Sequence, residues 1–213
     1  MKNIDDLIDG AAELAAQGLS KGEIADELNV SRETARWLVE RGETGGQTIT
    51  ATETTGGTSP TDIHVDWSAI GRDSVRLSHV GKALADLLRK HGESVDLLVG
   101  IEKAGAPIAT VVAREMAADI ATYVPRKHQW DDGDMEELQG TFSRNFAEIR
   151  ERRCYIVDDT VTSGTTLRET IGAIRDRGGE PVSCGVFVDK QGVDTIDRVP
   201  VHSLVQVIAV ENE

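Results

Sequence analysis

The spacing of apolar residues changes character near residue 62. Before it, Ile4, Leu7, Ile8, Ala11 and Leu14 recur every three to four positions, which predicts a helix over about Ile4 to Gln17 with one apolar face and Gly18 as its stop. Ser20 then opens the run SKGE. Its hydroxyl is placed to cap the Glu23 amide while the Glu23 carboxylate reaches back, so a second helix starts here and carries Ile24, Ala25 and Leu28 on one side. Asn29-Val30 predicts a tight turn, and Ser31 caps a third helix, SRETARWLVERG, with Gly42 as its stop. Residues 43–61, ETGGQTITATETTGGTSPT, are rich in Thr and Gly and read as a linker. Within them QTITATETT has strand propensity and leaves a short hairpin, even a wing, open.

From residue 62 onward, short apolar runs alternate with amphipathic ones. DIHVDWSAI reads as a strand or extended entry, and Ser74 to Lys90 as a helix with Leu77, Val80, Leu84, Leu87 and Leu88 on one face. VDLLVGI at 95–101 is continuously apolar, as a parallel strand buried on both faces requires. Pro107 to Ala118 reads as a helix, ATYVP as a strand, Ile149 as the end of a short helix and CYIVDD at 154–159 as another buried strand. Thr165 to Arg177 is helical up to Gly178-Gly179, PVSCGVFVD is a strand, and VHSLVQVIAV closes the sheet. Alternating strands and helices imply an α/β fold with a doubly wound parallel sheet. The expected division is a helical domain at 1–42, a linker at 43–61 and an α/β domain at 62–213.

Composition narrows the class. Apolar residues make up 39% of the 213 positions, enough for a sizeable core, but aromatics are only 4%, so that core is mostly Val, Ile, Leu and Ala. No apolar run approaches the roughly 20 residues that span a bilayer, and MKNIDDLIDG lacks the basic and apolar regions of a secretory signal. A cytoplasmic protein without membrane partners is expected. Cys154 and Cys184 lack metal or redox spacing and read as buried reduced thiols. The net charge is −14, and seven of 23 basic residues are Lys. A net acidic chain repels nucleic acid. An acidic, Lys-poor, Arg-preferring surface also resembles proteins of salt-loving cells, where screening shortens that repulsion to a few ångströms.

The densest chemistry lies in VDDTVTSGTT, Val157 to Thr166, at the carboxyl end of a buried strand, where open α/β sheets bind ligands. A phosphate favours backbone amides at a helix N-terminus, where the dipole adds roughly half a positive charge. Thr160, Thr162, Ser163, Thr165 and Thr166 bring hydroxyls, and Gly164 allows close backbone approach. Asp158 and Asp159 are placed to accept from ribose hydroxyls and to help hold Mg²⁺, which keeps waters and takes oxygen ligands. Two adjacent acids followed by TVTSGTT resemble the signature of type I phosphoribosyltransferases, the family that uses phosphoribosyl pyrophosphate. The resemblance runs over about residues 62–210 and implies that family's fold, a parallel sheet flanked by helices. LLVGIEKAGAPIATVVA is similar to the family's pyrophosphate loop, which would give Glu102, Lys103, Ala104 and Gly105 amides facing pyrophosphate. YVPRKH is similar to the pyrophosphate-side segment of the orotate and xanthine branches, giving Arg126 and Lys127. The following loop departs from the orotate pattern. After His128 no further Lys appears, and five of the next nine residues are acidic, which would repel pyrophosphate where developing charge needs stabilising.

EIADELNVSRETARWL resembles the helix-turn-helix DNA-binding motif: Ala25 is small at the helix crossing, Val30 fills the turn, and Ala35 and Leu38 pack the later helix back. In that motif the N-terminal residues of the later helix meet base edges, here Ser31, Arg32, Glu33 and Arg36. A three-helix interaction module or a cap on the larger domain is the alternative reading; five basic against nine acidic residues leave segment 1–42 at −4, though three of the five positives fall on the third helix. The composite resembles archaeal orotate phosphoribosyltransferase-like transcriptional regulators. That resemblance implies a homodimer binding promoter DNA, with genes of sugar and central carbon metabolism as targets. Its effector would be phosphoribosyl pyrophosphate, with Mg²⁺, or a related sugar phosphate. An active orotate or purine-type phosphoribosyltransferase remains the other function open at this point.

Overall fold

The computed structural model describes residues 4–43, 63–91, 93–126 and 140–208. The chain forms two compact units, Met1–Asp66 and Trp67–Glu213. The Thr/Gly-rich run with its hairpin alternative, and the acidic loop with Lys127 and His128, lie outside the described residues.

The first unit holds α1 (Ile4–Ala16), α2 (Lys21–Glu27) and α3 (Arg32–Glu43). Ala11, Ile24, Ala25, Leu28, Val30, Ala35, Leu38 and Val39 close its core. Both halves of the capping box form: the Glu23 amide donates to the Ser20 hydroxyl at 3.3 Å, and the Ser20 amide donates to the Glu23 carboxylate at 2.9 Å. The turn between α2 and α3 is tight because Asn29 takes φ 52° and the Val30 amide returns to the Ala25 carbonyl at 2.9 Å. Ser31 caps α3 through the Thr34 amide at 3.1 Å. Gly42 does not end α3, which continues to Glu43. A Cβ at position 42 would stand 2.9 Å from Ala12 Cβ, so this glycine serves the close approach of α1 and α3.

The second unit carries a seven-stranded sheet in the order β3-β2-β1-β4-β5-β7-β6. Its strands are β1 (Leu97–Ile101), β2 (Asp119–Val124), β3 (Thr141–Phe142), β4 (Arg153–Val161), β5 (Glu180–Asp189), β6 (Thr195–Ile196) and β7 (Val199–Gln206). The inner five pair in parallel, while β3 and β6 are antiparallel edges. The expected parallel sheet is therefore mixed at its margins. The helices are α4 (Ser68–Gly71), α5 (Ser74–His91), α6 (Gly105–Met116) and α7 (Thr165–Asp176). One face of the sheet, with Val99, Ile156 and Val186, packs on Leu167, Ile171 and Ile174 of α7. The opposite face receives α5 and α6: a Cβ on Gly185 would meet Leu88 at 2.8 Å, and one on Gly100 would meet Ala109 at 2.8 Å.

Three further expectations change. The stretch from Ile63 is irregular as far as Asp66, and Trp67 caps the short helix α4, so the apolar alternation of DIHVDWSAI does not make a strand. Ile149 ends no helix; it lies in an irregular segment and is buried beside Gly179 and α7. The strand at 154–159 runs on to Val161, because Thr160 and Val161 still pair with Val188 and Asp189 of β5.

Ser20→Ala removes one half of the capping box and should cost the helical unit about 1 kcal/mol, read as a lower urea midpoint of the helical signal. Both cysteines are free and buried. Burial pushes the Cys154 thiol from 9.0 up to about 12 and also raises Cys184. The native thiols should resist a disulfide reagent at pH 8 and react once the chain is denatured. A raised thiol pKa contributes stability that is present below the unfolded value and lost as pH rises. Stability should thus decline from about pH 9 upward, and less steeply in Cys154→Ala.

Candidate functional site

β4 is buried from Cys154 to Val157 and then delivers Asp158, Asp159 and Thr160, each half-buried, at the carboxyl end of the sheet. The Asp159 amide donates to the Asp158 carboxylate at 3.0 Å, and the Thr160 hydroxyl reaches Asp159 Oδ2 at 3.4 Å. Thr160 belongs to the strand and supports the acid pair. Past Val161 the chain turns through Thr162, Ser163 and Gly164 into α7. Gly164 adopts φ 71°, and a Cβ there would stand 2.8 Å from Ile196, so both conformation and space call for glycine. No side chain caps α7. Its first turn begins with Thr165 and Thr166, and Ser163 and Thr165 share a hydroxyl contact at 2.9 Å. The arrangement is an amide-lined helix start, the four hydroxyls of Thr162, Ser163, Thr165 and Thr166 and a neighbouring pair of carboxylates, which suits a phosphate joined to a polyol.

The second turn comes from β1. The Glu102–Lys103 peptide is cis, and α6 starts at Gly105, two residues earlier than expected. The Glu102 amide donates to the Tyr123 carbonyl at 2.9 Å. It is used in the β1–β2 ladder and does not face outward, against the expectation for this loop. Lys103 is exposed, Ala104 half-buried and Gly105 buried. Gly105 sits directly on the end of β4: a Cβ would overlap the Val157 carbonyl and stand 2.9 Å from Asp158 Cα. The fold thus joins the two sequence motifs at one place.

Three residues that sequence reasoning did not single out organise the rim. Glu169 on α7 accepts the Tyr123 hydroxyl at 2.8 Å and the Arg126 amide at 2.9 Å, fixing the backbone of Arg126 while its side chain is exposed. Burial, then the Glu169 hydrogen bond, raises the Tyr123 phenol well above its ordinary value, so it stays a donor. Asp189 is buried at the end of β5, where its carboxylate accepts the amides of Gln191, Gly192 and Val193 at 2.7–2.9 Å. An acid ending a buried strand was a readable signal there, as it was at Asp158. Trp67 donates its indole N–H to Asp159 Oδ2 at 2.8 Å.

In the helical unit, Arg32, Glu33 and Arg36 are exposed on the first turns of α3 and Ser31 is half-buried at its cap. Arg36 Nε bonds Glu40 at 2.7 Å, and Arg41 lies 4.7 Å over the Trp37 ring. The Arg36–Glu40 hydrogen bond raises the guanidinium and lowers the carboxyl.

Residues 66–204 match the phosphoribosyl transferase domain family. The transcriptional regulator GfcR of Halorubrum lacusprofundi is 66% identical over 213 residues, covering all of both chains. The chain belongs to the GfcR family. A more distant GfcR, from Methanocella arvoryzae, is 45% identical over 212 residues, covering 97% of this chain and 98% of its own. Among solved structures, the orotate phosphoribosyltransferase of Aeropyrum pernix superposes with a TM-score of 0.57 at 18% identity, over 72% of this chain and 84% of its own. Adenine phosphoribosyltransferase from Thermoanaerobacter pseudethanolicus gives 0.55 at 18%, over 68% and 89%. These two show the chain's type I phosphoribosyltransferase fold. No helix among the described residues is long and apolar enough to cross a membrane.

Gly105→Ala should force α6 off β4 and cost about 1–3 kcal/mol, because the colliding atoms are backbone. Gly172→Ala, in α7 with nothing within 4 Å, should be neutral or stabilising. Thermal unfolding of the two variants side by side checks both.

Proposed function

We propose that this protein is a DNA-binding transcriptional regulator that senses phosphoribosyl pyrophosphate or a related sugar phosphate. Genes of sugar and central carbon metabolism are its expected targets. The observation that carries the reading is the whole-length similarity to proteins named transcriptional regulators, which includes the helical unit as well as the phosphoribosyl domain. α3 meets promoter DNA through Ser31, Arg32, Glu33 and Arg36. Two copies act as a homodimer on paired half-sites. The phosphate of the effector takes the Thr162–Thr166 turn and the start of α7, its ribose hydroxyls take Asp158 and Asp159, and its pyrophosphate faces Lys103, Ala104, Gly105, Arg126 and Lys127. Mg²⁺ fits beside Asp158 and Asp159, since hard oxygen donors are what it takes, and the ligand's own oxygens with water complete its shell. The net charge of −14 is compatible with DNA at high salt, where the Debye length shrinks to about 3 Å at 1 M and local contacts decide.

The test is a genomic-fragment pulldown at high potassium chloride, with and without phosphoribosyl pyrophosphate and Mg²⁺. Enrichment of a few promoters that changes with the ligand is the expected result. Arg36→Ala should lose about ten- to a hundredfold in discrimination, the worth of one bidentate base contact, while still binding ligand. Asp158→Asn with Asp159→Asn should do the reverse. Efficient orotate-dependent pyrophosphate release without promoter enrichment would overturn the regulator reading in favour of an enzyme.

A further inference from the structure

Trp67 is the first residue of the phosphoribosyl unit, covalently next to Asp66, the last residue of the helical one. Its side chain is anchored far from there in sequence. The indole N–H donates to Asp159 Oδ2 at 2.8 Å, and the ring meets buried Phe187 of β5 edge-on, 5.9 Å between centroids. Gly71 makes room for it: a Cβ at position 71 would stand 2.5 Å from the indole Cζ3. Asp159 Oδ2 also receives the Thr160 hydroxyl at 3.4 Å. A carboxylate oxygen has two lone pairs, so this oxygen already carries two donors.

From these contacts we propose that Trp67 is a latch released by the ligand. A sugar hydroxyl arriving at Asp159 takes the place of the indole N–H on Oδ2, and the freed Trp67 alters the segment that enters from the DNA-binding unit. The inference rests on the reading of Asp158 to Thr166 as the sugar-phosphate site and adds the residue that reports its occupancy. Coupling of this kind is reciprocal: what ligand does to Trp67, the loss of Trp67 does to ligand.

The experiment uses the full chain and two probes, ribose 5-phosphate and inorganic phosphate, each with Mg²⁺. Phosphate fills the turn but brings no sugar hydroxyl to Asp159. Ribose 5-phosphate should change intrinsic tryptophan fluorescence in the wild type, and phosphate should not. In Trp67→Phe, which keeps a ring against Phe187 and loses the donor, that change should vanish. Calorimetry should then show ribose 5-phosphate binding about five- to tenfold tighter, the scale of one hydrogen bond, with phosphate affinity unchanged. Gly71→Ala displaces the indole without altering it and should tighten ribose 5-phosphate in the same direction, so a folding defect in one variant does not decide the matter. Without ligand, the promoter affinity of Trp67→Phe should match that of the liganded wild type, and its response to ribose 5-phosphate should be lost. Equal ribose 5-phosphate affinity in all three proteins, or an unaltered promoter response in Trp67→Phe, would overturn the latch while leaving the site standing. A wild type that binds neither probe would overturn the site itself and the latch with it.

Discussion

The seating of Gly105 against the end of β4 is the contact on which the candidate site depends. α6 lies close to the sheet only because small residues line the way: Gly100, whose Cβ would stand 2.7 Å from Ala106 Cα, then Ala106, Ala109 and Gly105 itself. With any bulk there, the turn after β1 and the turn after β4 would be held apart by a side chain. Two stretches more than fifty residues apart would then no longer meet at one end of the sheet. The parallel pairing of β1 with β4, Leu97 with Cys154 through Gly100 with Val157, sets their register so that both turns leave the sheet at the same level. Glu169 adds a third tie by holding the end of β2 to α7, the helix whose start forms the candidate phosphate turn.

Most of this was legible because it follows from local patterns. The buried runs LLVGI and CYIV, the Ser20 capping box and the polar turn before α7 each carry their own physical cause. What escaped depends on contacts between distant segments. Thr160 and Val161 look like loop in sequence, yet their backbones pair with β5, since a strand can become polar once it clears the packed layers. Two-residue edges such as β3 and β6 are too short to leave a period. Gly42 reads as a helix stop, but its use lies in Ala12 across the helix interface. Trp67 alternates with polar neighbours as a strand residue would, and only the fold places Asp159 beneath its indole. Glu169 is one acid on an amphipathic helix, with nothing local to mark it.

The charge of the helical unit sets terms for the proposed DNA contact. α3, the helix proposed to meet DNA, mixes Arg32, Arg36 and Arg41 with Glu33 and Glu40, so uniform attraction to phosphates would be weak. Arg36 engages Glu40 through Nε, on a surface where both side chains are more than half exposed. Such a pair contributes little to stability and is screened by salt. Because the pair uses Nε, the proposed base contact would fall to the terminal nitrogens of the guanidinium. Specificity would then come from geometry held at the base edge, and affinity would fall only gently with salt, since few phosphates are neutralised.

A sensor asks less of this fold than an enzyme does. Catalysis needs charge stabilisation that strengthens in the transition state, whereas sensing needs only that ligand prefer one of two arrangements. The size of the shift is bounded by that preference. A regulator that works through one exchanged hydrogen bond has about 1–1.5 kcal/mol to use, within the range typical of allosteric coupling and close to tenfold in promoter affinity. On the proposed homodimer, two copies on paired half-sites would double the free energy and square the ratio. Under the proposed latch, a graded, roughly hundredfold response would follow from a single donor at Asp159, without a large rearrangement of the phosphoribosyl unit.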